Sequence, residues 1–569
     1  MKRRKSITAT ILLLTLIISL SPIALTASSL TPPADVSKWS PWTGWEDDPS
    51  TWAIEQVAEA IQEQLVPNIL QREYVRPITR AEFATLAVYL YERVKDREIT
   101  ERMDFNDTTN VNVRKMGALG VVTGVGDGHF DPHGRLTREQ AAVMLARLAE
   151  VMGNPLTESD VAFADNAKIS YWAADAVGQV QNAGIMSGTG NNMFSPRGEY
   201  TREQSIVTIL RLFEMVKTDF DFSGQRITDA RLAEMVASGE IPPNVTRLNL
   251  AWNQITDISP LRNMSDLVAL DLVGNQLDDI SPLRRLTNLT ILNVGGDGLS
   301  DITVLRYFTN LTELGLSNVD VENLSPISGL TNLTMLNIWG TQGNLDISAI
   351  SQLTNLTSLM LLSVETDDFT PVGNLMNLEQ IILGNAYHLR NISFLSNLAK
   401  TETLLISGGV NIEDYTPIGS LSGLVVLSID GSKIIDSTVL PLDRLTNLQV
   451  LSLANNQIIS LPMLGDLPNL DWLDLSNNGI SDINKLPLES LKNLFGLTLT
   501  GNRISDISPL GELTNLRQLC VRNNRITDIS PLGSLYSLQW LGLCGNPINQ
   551  RQISELSLAL PDCQIDFLW

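Results

Sequence analysis

Cysteine and histidine are nearly missing from this 569-residue chain, which holds three of each. The three histidines, His129, His133 and His388, fall into no catalytic constellation. No Gly-x-Ser-x-Gly turn, His-Glu-x-x-His pair or phosphate-binding loop is present. His129 and His133 are four apart, but Asp131-Pro132 between them breaks the helix that would align both on one metal. Asp127 and Asp131 flank a glycine turn without the rest of a calcium loop. We therefore expect no catalytic residue, no metal and no cofactor. Cys520, Cys544 and Cys563 are too few for a disulfide framework and leave two readings open, a bridge such as Cys544 to Cys563 or free thiols. Positive charge is also short. Lys and Arg number 40 against 63 Asp and Glu, a net charge of −23, so nucleic acid and anionic lipid are not expected as partners.

Long apolar runs are scarce too. Ile11 to Leu20 follows the basic Lys2-Arg3-Arg4-Lys5 and precedes the small residues Thr26-Ala27-Ser28-Ser29. It is short for a bilayer span of about 20 residues and reads as a cleaved signal peptide, residues 1–28. No later segment is long and apolar enough to span, so no membrane association is expected after cleavage.

What the chain has in quantity is repetition, of two kinds. From Trp52 to Val216 three segments end alike: Pro77-Ile78-Thr79-Arg80-Ala81-Glu82, Arg135-Leu136-Thr137-Arg138-Glu139-Gln140 and Glu199-Tyr200-Thr201-Arg202-Glu203-Gln204. Each opens an amphipathic helical run. The second and third follow glycine turns, Gly124 to Pro132 and Gly188 to Pro196, themselves preceded by a helical pattern. Thr79, Thr137 and Thr201 stand at N-cap positions with Glu82, Gln140 and Gln204 three residues on, a capping box. The intervening arginine falls at the first helical position. There, with free backbone N–H groups, it suits a carboxylate or phosphate. The plainer reading, caps beside a solvated arginine, stands beside it.

The order Phe163-Ala164-Asp165, Trp172-Ala173, Gly184-Ile185-Met186-Ser187-Gly188, Phe194-Ser195-Pro196 and Thr201-Arg202-Glu203 resembles an S-layer homology repeat. Three tandem repeats, within 35–218 (about 35–95, 100–155 and 160–218), resemble that family's anchoring module. The resemblance implies an all-α, pseudo-threefold helical module that binds pyruvylated secondary cell-wall polysaccharide without covalent attachment. It implies grooves formed by Arg80, Arg138 and Arg202, with Trp52 and Trp172 and the turn glycines Gly124 and Gly188. Copy one replaces the glycine turn with Leu65-Val66-Pro67, and in copy two Thr108 falls where Trp172 would align. The third copy is the most complete, and its groove is the first choice. Alanine at Arg138 and Arg202 should then weaken wall binding with little loss of stability.

The second repeat carries Leu-x-Leu-x-x-Asn, then Ile-x-x-Ile-Ser-Pro-Leu. Its leading apolar residues run from Leu248 to Leu541 over about fourteen repeats of 22–24 residues. This is a leucine-rich-repeat pattern: a curved parallel sheet, one strand per repeat, with turns and 3₁₀ segments on the convex side. Asn253, Asn275, Asn456, Asn478, Asn502, Asn524 and Asn546 should form a buried ladder. Asp297, Val319, Thr341, Val364, Ala386, Gly409 and Ser432 replace it in the middle, where less regular repeats are expected. Residues 223–247, including Thr228 to Ser238, and 549–569 read as end caps around repeats at 248–548. The organisation is similar to the internalin-like class, which implies protein or glycan recognition through the concave face.

Strand alternation turns Trp339, Met360, Leu362, Asp430, Trp472, Asp474, Arg522 and Trp540 toward that face. Met360-Leu361-Leu362 and Leu404-Leu405-Ile406 place apolar residues at exposed phases. The reading is a non-enzymatic adhesin or receptor anchored by the first module and binding an unknown protein or glycan through the second. The alternatives are a structural surface-layer component and an accessory of a wall hydrolase.

Overall fold

The computed structural model describes residues 48–567 apart from 96, 342, 410–411 and 462–466. The expected signal peptide, residues 1–28, lies outside the described residues, and no described helix is long and apolar enough to cross a membrane. The chain divides after Lys217 into two units.

The first unit is helical. Its short helices are α1 (Ile54–Gln62), α3 (Val111–Ala118) and α5 (Ala174–Asn182). Its long helices are α2 (Arg80–Lys95), α4 (Arg138–Val151) and α6 (Arg202–Val216). Each long helix begins at the arginine of the Thr-Arg segment, because the preceding threonine stops the chain in an extended conformation and caps the first turn. The Gln140 and Gln204 backbone N–H groups donate to Thr137 and Thr201 Oγ1, and that of Glu82 to Thr79 Oγ1. Single bridges tie Thr79 to Arg135, Thr137 to Glu199 and Pro77 to Thr201, so the three copies close into a ring around one apolar core.

The second unit is a solenoid. Sixteen parallel strands pair in sequence order, from β1 (Asp219–Asp221) to β16 (Gln564–Asp566), one beyond each end of the fourteen repeats counted from sequence. Helix α7 (Asp229–Ser238) packs at the first end and α8 (Gln550–Ala559) at the last. Short 3₁₀ turns, many opening on Ser-Pro, line the convex side. Leading leucines and the next apolar residue but one fill the interior.

The seven ladder asparagines are buried. Asn478 is representative: its Nδ2 donates to the Leu453, Leu475 and Ser476 carbonyls, and its Oδ1 accepts from Ile458 N–H. A second, exposed ladder was not foreseen. Asn288, Asn310, Asn332, Asn355 and Asn377 each donate from Nδ2 to a carbonyl of the preceding coil.

The middle repeats, expected to be less regular, do differ from those at the ends. There the sheet is at its widest: β4 (Ile291–Gly295), β5 (Glu313–Val319), β6 (Met335–Thr341), β7 (Ser358–Leu362), β8 (Gln380–Gly384), β9 (Thr403–Ser407) and β10 (Val426–Asp430) run five to seven residues. Strands flanked by ladder asparagines, such as those at Ala269–Asp271 and Val450–Ser452, run three. The reason is hydrogen-bond supply. An asparagine side chain serves the backbone groups after the strand; where Val319, Val364 or Ala386 replaces it, buried and apolar, the residues before the turn pair with neighbouring strands instead, and the chain turns at a left-handed Asn318, Ser363 or Asn385.

Candidate functional site

In the helical unit the three copies share their parts cyclically. Arg80 of copy one lines a cleft with the Val121–Val125 turn, Gln140 and Arg147 of copy two, and Trp172 of copy three. Arg138 of copy two lines a second cleft with Ser187, Gly188, Gln204 and Arg211 of copy three and Trp52 of copy one. Neither of these clefts belongs to one copy.

Both arginines are pinned. Arg80 Nε donates to Phe130 O and Nη2 to Thr123 O; Arg138 repeats this with Phe194 O and Ser187 O. Each guanidinium also lies over an aromatic ring, Phe130 at 4.6 Å and Phe194 at 5.0 Å. At 9% and 6% exposure neither has an ion-pair partner among the described residues, and Nη1 of each has no protein acceptor. Burial lowers the pKa of both, yet an arginine stays charged at any physiological pH. The remaining donor edge, beside an indole exposed at 57% (Trp172) or 53% (Trp52), suits a planar anion carried on a sugar ring.

Two expectations are corrected. The helix N-termini are not free, because Arg80, Ala81, Glu139, Arg202 and Glu203 N–H donate to the carbonyls of Gly134, Pro132, Pro196, Arg76 and Tyr74. Arg202 is also no open receptor. Its Nη2 meets Glu82 Oε1 at 2.6 Å and its Nη1 meets Glu73 Oε2 at 3.3 Å, and Arg76 bridges the same two carboxylates. This third position, formed by copies three and one, is neutralised from within. The third copy's turn does build a cleft, but with the arginine of copy two. Gly124 and Gly188 serve the turn itself, since a Cβ on either would strike the carbonyl of His129 or Met193.

Arg147 and Arg211 were missed from sequence. The signal was present: each lies nine residues after its Thr-Arg arginine, where copy one has Tyr89.

On the solenoid's inner face, Trp339 is 39% exposed, and Met360 and Leu362 are half-buried outside the solenoid core. Register lines up Met360, Ile382 and Leu405, an apolar row in which Ile382 was missed. Ile382 and Leu405 are covered by their neighbours, whereas Leu361, Leu404 and Ile406 point into the core. Trp472 lies against Gly496, where a Cβ would collide with the indole. Arg522 is already occupied, ion-paired to Asp566 and stacked 5.1 Å from the half-buried Trp540. All three cysteines are free.

Asp430 is corrected as an exposed ligand contact. It is 7% exposed, its Oδ1 accepting from Ser452 Oγ and Ala454 N–H. Burial pushes its pKa up to about 7, with the charge of Asp474 adding to the rise. Burial raises half-buried Asp474 as well. The folded group thus stays protonated where the unfolded carboxyl ionises, so stability falls as pH rises from about 4 to about 7. Asp430→Asn should flatten that slope and make the protein about 1–3 kcal/mol more stable than wild type at pH 8, with no gain at pH 4. Denaturant melts at the two pH values check it.

The ring of helical repeats with shared arginine clefts and the parallel solenoid correspond to S-layer homology domains followed by leucine-rich repeats, the domain content of a cell-surface protein. The family model for the S-layer homology domain matches residues 112–142 and 162–204, and that for leucine-rich repeats matches 243–285, 446–488 and 492–534. These three solenoid segments are ones that carry ladder asparagines. Both domains are of non-catalytic types. S-layer homology domains generally bind cell-wall polysaccharide and leucine-rich repeats bind proteins.

Among particular relatives, an endoglucanase of a Bacillus species is 28% identical over 224 residues, 37% of this chain and 22% of that protein. An S-layer protein of Bacillus thuringiensis subsp. finitimus is 31% identical over 140 residues, 24% of this chain and 16% of that protein. The chain spans less than a quarter of the length of these relatives. Among solved structures, an internalin of Listeria monocytogenes is similar at 32% identity over 57% of this chain and 86% of that one, with a TM-score of 0.42.

Proposed function

We propose that this is a secreted, non-enzymatic surface protein whose helical module holds pyruvylated secondary cell-wall polysaccharide in two clefts. In this reading the solenoid's inner face, around Trp339, Met360 and Leu362, takes a protein or glycan ligand. The observation that supports the anchoring role most directly is the pair of buried guanidiniums, Arg80 and Arg138, each with an unused donor edge in a tryptophan-walled cleft. The ketal carboxylate of a pyruvylated sugar matches that edge in charge and shape. The likeness to S-layer proteins keeps a structural wall-layer role as the second reading.

The full chain should pellet with purified walls and stay in solution when the wall polysaccharide is stripped or its ketal pyruvate removed. Titration with short pyruvylated fragments should saturate at two per chain, because the Arg202 position is filled by Glu73 and Glu82. Saturation at three, or pelleting that ignores the pyruvate, sinks the assignment.

A further inference from the structure

The second residue of each long helix carries a chemistry that capping leaves unused. In copies two and three it is Glu139 and Glu203, exposed by only 5% and 4% and with no cation beside them among the described residues. An unpaired carboxylate is expensive to bury unless its oxygens are fully hydrogen-bonded. Both are held the same way, by one serine of the next copy in the ring. Ser170 donates its N–H to Glu139 Oε2 at 2.9 Å and its hydroxyl to Oε1 at 3.0 Å. Ser50 does the same to Glu203, at 2.8 and 2.9 Å.

Each serine opens a single turn, Ser170-Tyr171-Trp172-Ala173 and Ser50-Thr51-Trp52-Ala53, closed by the alanine N–H on the serine carbonyl at 2.9 and 2.8 Å. The glutamate therefore clamps the start of the turn that carries the cleft tryptophan. Each indole is more than half exposed, so packing alone fixes its bearing only in part.

Copy one supplies the control within the same molecule. Its second helical residue is Ala81, which has no carboxylate. The segment it would serve, in copy two, has neither the serine nor the tryptophan. Asp107 to Val113 spans six positions, against twelve from Asp165 to Val177, and Asn110 caps α3 directly instead. Carboxylate, serine and tryptophan are present together twice and absent together once.

We propose that Glu139 and Glu203 are positioning residues that set Trp172 and Trp52 for the wall ligand, Glu139 acting on the Arg80 cleft and Glu203 on the Arg138 cleft. The proposal rests on the cleft assignment above.

Its test is a pair of double-mutant cycles on the full chain, read as affinity for purified pyruvylated wall polysaccharide. Glu139→Ala should weaken binding roughly five- to tenfold. It should add less than twofold in a Trp172→Ala background, yet keep its full effect in a Trp52→Ala background. Glu203→Ala should show the opposite pattern. Ser170→Ala, which removes one bond and keeps the carboxylate, should give a smaller loss with the same dependence on Trp172. A generally destabilised module would lose affinity alike in both backgrounds, and that result overturns the proposal. So does Glu139→Ala binding as wild type while Trp172→Ala binds weakly. If Trp172→Ala and Trp52→Ala both bind as wild type, the cleft assignment itself falls and this proposal with it.

Discussion

Replacing Arg80 and Arg138 together with alanine will release the full chain from purified walls, an affinity loss of 100-fold or more. A charge-assisted hydrogen bond in a partly dry cleft contributes about 1.5–3 kcal/mol, so each substitution alone costs roughly ten- to 100-fold. Two clefts on one module engage one polymer, and linked losses multiply. The same variant will also lose thermal stability, contrary to the expectation from sequence. Each guanidinium satisfies two backbone carbonyls and covers an aromatic ring, and alanine leaves the buried carbonyl of Phe130 or Phe194 without its donor. Arg202→Ala separates the two effects. It uncovers Glu73 and Glu82 and should lower the melting temperature while leaving wall affinity within about threefold of wild type, less than one hydrogen bond's worth. A wall-pelleting isotherm and a thermal melt on each variant decide it, and a large affinity loss at Arg202 would contradict the closed third position.

Asn478→Ala will cost the solenoid about 1–3 kcal/mol, because the buried Ile458 N–H loses its acceptor, while the Leu453, Leu475 and Ser476 carbonyls each keep one other donor, Asn456, Asn502 and the Asn455 N–H. Stability in a repeat array is a sum of neighbouring contributions, so the loss should concentrate in the coils around residues 453–480. Amide exchange resolved along the chain will show protection falling there first and the N-terminal coils hardly changed. The reciprocal substitution makes the physical point. Val364→Asn, in a coil whose backbone is already paired by the longer strands, should destabilise by about 1–3 kcal/mol by burying an amide without partners. A stabilising Val364→Asn would contradict the account of why the middle strands are long.

Much of this was readable in the residues. The period of 22, the Ser-Pro turns and the Thr-Arg caps are local signals, and local signals dictate elements. What escaped was whatever depends on which copy meets which. Arg202 and Arg138 occupy identical motifs; only the ring closure shows that one faces Glu73 and Glu82 and the other an open cleft. Asp430 and Asp474 share the strand phases that face inward, yet only the first is closed off from solvent. Arg147 and Arg211 were visible as a spacing, but a lone helical arginine has no meaning until an indole from another copy stands opposite. The long middle strands were not legible for a related reason: a missing asparagine signals a departure from the regular repeat but not which backbone groups pair in its place.

The cyclic sharing of parts also sets an order of events. The cleft of Arg138 needs Trp52 from near the start of the module and Arg211 from near its end, and the turn that carries Trp52 is clamped by Glu203. A chain synthesised N-terminus first therefore has no complete Arg138 cleft until its last helix has folded back onto its first. A single copy moved into another protein would carry the motif and not the grip. On the proposed anchoring role, two-cleft attachment would be a property of the finished ring, and only a fully folded module would take full hold.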